Sequence, residues 1–567
     1  MSNRNPMITC VARLAGIAGV VIVSLALAAA GREPSFTAEY PFAFRDVGDE
    51  AGIFPHIAGI RGHGAAWGDV DGDGWPDLFV ATFHNAGSKP SMLLRNERGK
   101  FRLDGQEHLR TSGMGSGALF ADFTNSGRLD LYVSNCAHGK VNDPAFSAPS
   151  VFFRNDGDGR FTDISQESGA CPSGYEGRGV AALDFDGDGL LDLLTCEQYY
   201  SSNAKTGPAL YRNKGGLRFE NVADAAGLPV GLGGLSVAAA DVNNDGRPDI
   251  FLTNGAGEHR LLLGDGRGRF REASGARDVF RWPDARGEDT PAGAVIADVN
   301  RDGWPDIVVG HHFKTPWITP KPIRLYLNRG LKDGELAFED ITDAAGLVPL
   351  SMKAPHVEIQ DFDNDGWPDI VVSVVKFKDG KPCPVIFKNL GPRDGLPRFR
   401  DDAWAVNDFP TDEEKTMKRS GQLFAKILEE KKIIYMAPGP SCDFDRDGRL
   451  DLLLPNWWIE SRSLLLRNET PGGHWLDVQV EGHSGVNRMG VGSRVNVFPT
   501  GKLGDASALL GSREISIGFG YCSGQEATAH FGLGRADRVD VEVILPHGKG
   551  KLAEKGVKAD QRITLRQ

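Results

Sequence analysis

Cysteine is scarce in this 567-residue chain: there are seven, and none sits in a C-x-x-C pair, so the spacing that zinc or thiol redox chemistry would need is missing. Long apolar runs are missing too. Ile17 to Leu27 is shorter than the roughly 20 residues that span a bilayer, and elsewhere apolar stretches run only four to six residues, which argues against long buried helices. No Gly-x-Ser-x-Gly elbow, Walker loop, dinucleotide fingerprint or zincin helix occurs where its structural context would be met, so nothing compels an enzyme. Positive charge is in deficit. The net charge is −12 and becomes −14 without residues 1–30, a balance that repels phosphate and argues against a nucleic-acid partner.

What is abundant is glycine, at 72 residues, and proline, at 32, the composition of short strands joined by many turns. The expected fold class is all-β. Arg4 and Arg13 precede the Ile17 to Leu27 run, which ends in Ala28-Ala29-Ala30; this is the layout of a secretory signal peptide over residues 1–30. Its removal would leave no membrane span and place the protein outside the cytoplasm: secreted, periplasmic or on the cell surface. Export permits disulfides among the six remaining cysteines, and spacing alone does not choose between pairs and buried thiols.

Seven aspartate-rich loops dominate the chain. The first reads Asp69-Val70-Asp71-Gly72-Asp73-Gly74-Trp75-Pro76-Asp77, and five more keep its frame from Asp184, Asp241, Asp298, Asp361 and Asp443; a copy at Asp122 to Asp130 is degraded. Successive starts lie 53, 62, 57, 57, 63 and 82 residues apart, about the length of one four-stranded propeller blade. A hard cation such as Ca²⁺ takes six to eight oxygens. Acids at positions 1, 3 and 5 are expected to converge on it, with a position 7 carbonyl, and position 9 closing the shell. The expected ligands are Asp69, Asp71, Asp73 and Asp77; Asp184, Asp186, Asp188 and Asp192; Asp241, Asn243, Asp245 and Asp249; Asp298, Asn300, Asp302 and Asp306; Asp361, Asp363, Asp365 and Asp369; and Asp443, Asp445, Asp447 and Asp451. That makes about six calcium sites, the two with Asn at position 3 weaker. Strand-like runs such as Leu78-Phe79-Val80 follow the loops, where an EF-hand would have a helix.

The phrases Gly64-Ala-Ala-Trp-Gly-Asp69, Gly179-Val-Ala-Ala-Leu-Asp184 and Gly293-Ala-Val-Ile-Ala-Asp298 resemble the FG-GAP or VCBS repeats of integrin α-subunit propellers and secreted bacterial proteins. The resemblance implies a seven-bladed β-propeller over residues 40–473, with calcium between the first two strands of a blade. Leu94-Arg-Asn96, Phe153-Arg-Asn155 and Leu466-Arg-Asn468 read as outer hairpins. Phe44-Arg-Asp46-Val47, which has no blade of its own, is expected to supply the missing outer strand of the last one and close the ring. An insertion at about 408–434 carries the Thr411/Glu414 capping box, with Met417, Phe424 and Leu428 on one face of an amphipathic helix.

From residue 474 to 567 the pattern changes, to Asn487-Arg488-Met489-Gly490-Val491-Gly492 and Phe531-Gly532-Leu533-Gly534. This is similar to the ASPIC/UnbV domain that follows such repeats in cartilage acidic protein and its bacterial relatives, and a small β-sandwich is expected, its glycines serving turns.

If the acidic loops join inner strands at one face, residues before the first and after the second of those strands gather on the other. That list holds His63, His84, His138, Arg178, Glu197, His312, His356, Trp457 and Trp458, with Tyr199, Tyr200, Glu258, His259, His311 and Trp317. Aromatic rings with polar groups suit a binding face for an extracellular protein or glycan. The alternative is a carbohydrate-active enzyme of lyase or dehydratase type, built on His63, His311, His312 and His356. His311 and His312, as strand neighbours, point to opposite sides.

Overall fold

A computed structural model describes residues 40–567 apart from 85–86, 137–146, 198–206, 256 and 283–289. The expected signal segment, His138, Tyr199 and Tyr200 lie outside the described residues. The chain is all-β. Among the described residues, seven sheets succeed one another from Phe44 to Asn468, followed by two more. The first shows the rule: Gly62–Gly68, Asp77–Thr82, Met92–Asn96 and Phe101–Leu103 pair antiparallel in sequence order. Short runs rich in Val, Leu and Phe alternate with Gly and Asp turns, so each hairpin closes locally before the next begins.

Each blade packs on the next. Phe79 of the first meets Phe120 and Leu131 of the second, and the remaining seams repeat this until Trp67 and Leu78 of the first meet Phe444 and Leu453 of the seventh. Phe44–Asp46 is the outer strand of the seventh sheet, with Phe44 opposite Asn468 and Asp46 opposite Leu466. The outer strand of that last sheet thus comes from ahead of the first repeat, which closes the ring and covers its sheet edge.

The insertion is two helices rather than one. Asp412–Lys415 carries the Thr411/Glu414 capping box, and Ser420–Glu430 buries Leu423, Phe424 and Ile427. The Trp317 indole N–H donates to the Met417 carbonyl at 2.7 Å, claiming an acceptor that a continuous helix would use.

After residue 474 a three-stranded and a four-stranded sheet face each other across Val478, Val495, Val497, Phe531 and Val541. This sandwich interlocks with the ring. A strap from Ile515 to Glu526 enters among the innermost strands: Ser523 and Gly524 run parallel to Ala65 and Ala66, Ile517 bridges Ala182, and Gly520 bridges Ala294. Gly520 has φ +74°, and a Cβ there would lie 2.5 Å from the His356 ring, so only glycine fits. Gln525 Nε2 and Ser441 Oγ donate to the two oxygens of buried Glu358 at 2.6 and 2.5 Å, tying the strap to blades six and seven.

Candidate metal centres and ligand pocket

Position 1 of each acidic loop turns inward. Asp69 accepts the N–H groups of Gly72 and Gly74 at 2.8 Å each, and Asp122, Asp184, Asp241, Asp298, Asp361 and Asp443 do the same for position 6. Glycine at position 6 takes positive φ in every copy with a full acidic set, the conformation this turn requires. Carboxylate oxygens then gather within 4.8 Å of one another in four loops: Asp69, Asp71 and Asp77; Asp184, Asp186 and Asp192; Asp361, Asp363 and Asp365; Asp443, Asp445 and Asp451.

Positions 1, 3 and 9 gather most closely in three of these, and positions 1, 3 and 5 in the one at Asp361, each a subset of the expected positions 1, 3, 5 and 9. Position 5 also caps the turn: Asp73, Asp188, Asp447 and Asp365, the last still within its cluster, accept the N–H two residues on at 2.9, 2.9, 3.0 and 2.8 Å. The two loops with Asn at position 3 do not gather three acids: Asn243 and Asn300 donate to Asp245 and Asp302 at 3.0 and 2.9 Å.

The donor set fits a hard cation. It is oxygen only, and Oδ1 of Asp361, Asp363 and Asp445 is buried with no hydrogen-bond partner. Burial, opposed by N–H donors, pushes Asp77 up to about 7 and Asp443 up to about 8, the discomfort of desolvated neighbouring carboxylates without a cation. Arg95, Arg212 and Lys388 lie against the same acids.

Position 9 has a second role that sequence reasoning missed. In every copy its Oδ1 accepts an N–H from the third strand, as from Asn96 to Asp77 at 2.8 Å. That strand's Asn, read from sequence as part of an outer hairpin, donates its amide to the preceding blade: Asn155 to Val70, Asn213 to Phe123, Asn328 to Val242, Asn389 to Val299, Asn468 to Phe362, and Asn96 across the closure to Phe444, all at 2.7–2.9 Å. Only the fourth blade lacks the latch, because Gly264 stands there.

Position 4 was also missed. It is Gly, Asn or Arg and takes positive φ throughout. Asn125, Asn244 and Asn364 donate to the position 6 carbonyl of the next loop at 2.8–3.0 Å. The C-terminal sandwich docks on this ring. Arg488 N donates to Asn125 at 2.7 Å, His530 Nε2 lies 2.8 Å from Asn364, and Arg494 bonds Asn244. Arg446 pairs with half-buried Glu526 at 3.0 Å, which Arg562 also holds at 2.8 Å.

On the opposite face the inner strands open into a cavity of about 450 Å³. Of the residues expected there, His63, Arg178, His312, Trp457 and Trp458 line it, joined by Lys353 and Tyr521. His63 lies 5.0 Å from Trp457, ring to ring, with Nε2 3.5 Å from Arg178 and 3.4 Å from the Tyr521 hydroxyl. Burial, then Arg178, drives His63 well below its ordinary pKa; burial, then Lys353, does the same to His312. Burial therefore favours the neutral form of both imidazoles. His356 lies deeper, its Nδ1 accepting from Tyr521 N at 3.0 Å. Glu197 faces away to the Gly207 amide, and His84 stands half-buried outside the cavity. His311 is fully buried with Nε2 3.0 Å from the Lys321 carbonyl, so only its neighbour reaches the cavity. Among the described residues, Cys171, Cys196, Cys383, Cys442 and Cys522 are free thiols.

The FG-GAP-like repeat family matches residues 47–133, 145–195, 199–252 and 241–309, and the ASPIC and UnbV family matches 483–567. The chain is an FG-GAP-repeat protein with an ASPIC and UnbV domain. The repeat family's match ends at residue 309, whereas the structural repeat continues to Asn468. Human cartilage acidic protein 1 is 27% identical over 512 residues, 86% of this chain and 69% of that one. Integrin alpha pat-2 of Caenorhabditis elegans is 28% identical over 240 residues, 37% of this chain and 18% of that one. Among solved structures, an Agrocybe aegerita lectin aligns at a TM-score of 0.33 and 17% identity, covering 66% of this chain and 84% of that one, a likeness too slight to argue from. No helix among the described residues is long and apolar enough to cross a membrane.

Proposed function

We propose that this FG-GAP-repeat protein is an exported, calcium-loaded, seven-bladed propeller that recognises an extracellular or cell-surface ligand, protein or carbohydrate, in the cavity opposite its acidic loops. The observation that carries the reading is that cavity: aromatic rings around a few oriented polar groups, on a rigid ring of strands. Relatives named for cartilage and for integrin support a place outside the cell. The orphaned Asp361, Asp363 and Asp445 oxygens support calcium as a structural staple, since a divalent ion would relieve their repulsion and its binding would add to folding stability. Residues 1–30 as a signal peptide, 40–473 as the propeller with its insertion at 408–434, and 474–567 as the C-terminal domain complete the proposal.

Elemental analysis and thermal unfolding of the mature protein, with and without chelator, test the metal half. About six calcium ions and a large drop in melting temperature are expected; no bound calcium would refute it. Trp457→Ala tests the ligand half, with loss of cell-surface or glycan-array binding expected and unchanged binding against it. The alternative, a carbohydrate-active enzyme of lyase or dehydratase type, draws on one observation: neutral His63 beside the Tyr521 hydroxyl and Arg178, a pair able to move a proton next to a fixed cation. Unsaturated sugar products that disappear in His63→Ala would promote it; their absence would retire it.

A further inference from the structure

The cavity has a charge character that its aromatic walls conceal. None of the residues lining it is acidic. Lys353 is nine-tenths buried, its ammonium lies 5.7 Å from the Tyr435 ring centre and 5.9 Å from that of Phe424, and among the described residues it pairs with no carboxylate. A buried ammonium without a counter-ion is costly unless something supplies the negative charge. Arg178 lines the same space, and the Arg61 guanidinium stacks 3.8 Å over Trp457.

The inserted helix adds a second donor set. Ser420 and Gly421, the first two residues of the Ser420–Glu430 helix, line the cavity. Arg419 provides no side-chain cap, and the first bond at this end is from Gln422 N to the Arg419 carbonyl at 3.1 Å, so the N–H groups of Ser420 and Gly421 precede it. Nothing stands within 4 Å of where a Gly421 Cβ would be, so the helix end is open to an incoming group. Uncapped amides at a helix N-terminus attract anions, and here they share one cavity with a buried, uncompensated lysine.

We propose that the cavity binds an acidic saccharide, with its carboxylate or sulfate between the Lys353 ammonium and the N-terminus of the Ser420–Glu430 helix, and its ring against Trp457 and Trp458. Half-buried indole faces suit the apolar face of a sugar ring, and the neutral imidazoles of His63 and His312 suit its hydroxyls. The inference rests on the cavity being the recognition site and adds the class of ligand. It also gives the insertion a role, since the helix end closes the cavity on the side of blades five and six.

The test titrates the calcium-loaded mature protein calorimetrically with three matched oligosaccharides: neutral galactose, its galacturonate counterpart and its sulfated counterpart. An acidic form should bind at least ~10-fold tighter than the neutral one, the scale of one strong charged contact, and whichever acidic form leads identifies the anion as carboxylate or sulfate. Gly421→Asp places a carboxylate at a helix end that welcomes it structurally, so the fold should hold while acidic binding drops ~10-fold or more. Gly421→Asn should bind nearly as the parent does, and Lys353→Met should lose the preference for the acidic forms. Equal binding of neutral and acidic sugars, or full binding by Gly421→Asp, overturns the anion site and leaves recognition standing. Binding of poly-glutamate with none of the three sugars overturns the saccharide, and no binding of any probe overturns the anion site and the saccharide together, while the cell-surface test with Trp457→Ala decides recognition separately.

Discussion

Asn389→Ala should destabilise the ring far more than one small side chain suggests. Asn389 is fully buried; its Nδ2 donates to Val299 O on the fifth blade and to Pro368 O in its own loop, both at 2.9 Å, and its Oδ1 accepts Gly391 N at 3.0 Å. Alanine removes all three bonds and leaves two carbonyls and an amide with no replacement. A net bond contributes about 1 kcal/mol, and an abandoned buried partner costs about 1–3 kcal/mol, so the loss should be at least about 3 kcal/mol, a large share of a typical domain's stability. The assay is denaturant unfolding with calcium held in excess, read by tryptophan fluorescence, with hydrogen exchange at the seam between blades five and six. The natural control is the seam between blades three and four, where Gly264 replaces the Asn and a Cβ would lie 2.3 Å from the Pro248 carbonyl; its amides should be the least protected of the seven seams. A loss below about 1 kcal/mol, or equal protection at all seams, would refute the latch.

Glu526→Gln should cost about 1.5–3 kcal/mol, because it takes from Arg446 its carboxylate partner and leaves Arg562 with Asp477 alone. Against burial, Arg562 and then Arg446 hold the Glu526 carboxyl well below the usual range. Its contribution is thus complete above the unfolded value near 4.5 and is lost as pH falls toward the lower folded value; the stability gap between parent and Gln variant should therefore shrink as pH falls below about 4.5, and a gap that stays constant with pH would contradict this. Lys353 is lowered to about 8 by burial, then by Lys314; it in turn lowers His311 and His312, Tyr435 packs beside it, and Arg178 lines the same cavity. An anion raises that value and takes up a proton, so acidic-sugar affinity should fall up to ~10-fold per pH unit above about 8 and level off below it; a flat profile from pH 7 to 9.5 would count against Lys353 as the anchor. Asn243→Asp should give the fourth loop a fourth acid beside Asp241, Asp245 and Asp249 and raise its calcium affinity, which calcium titration of the two proteins compares directly.

The acidic loops were legible because their chemistry is local. Asp69 and Gly74 sit five residues apart, and the turn that joins them is written in that spacing. The same holds for the capping box at Thr411 and for the Phe44 phrase that repeats before the first blade. Which of the four expected positions gather most closely is not written in the spacing, because it depends on how each loop closes.

By itself, then, the sequence determined the strands, the repeat, the closing outer strand and the acidic loops, since each is a pattern within one blade that hydrophobic alternation and turn residues repeat. Tertiary structure alone decided the rest. The Asn96 amide reaches Phe444 and Arg488 reaches Asn125 across hundreds of residues, and position 4, being Gly, Asn or Arg by turns, shows no motif. Tyr521 comes from the C-terminal domain to meet His63 at the far face, and Lys353 meets Gly421 in one cavity. Such meetings follow from ring closure and from the strap among the inner strands, and no period in the chain encodes them.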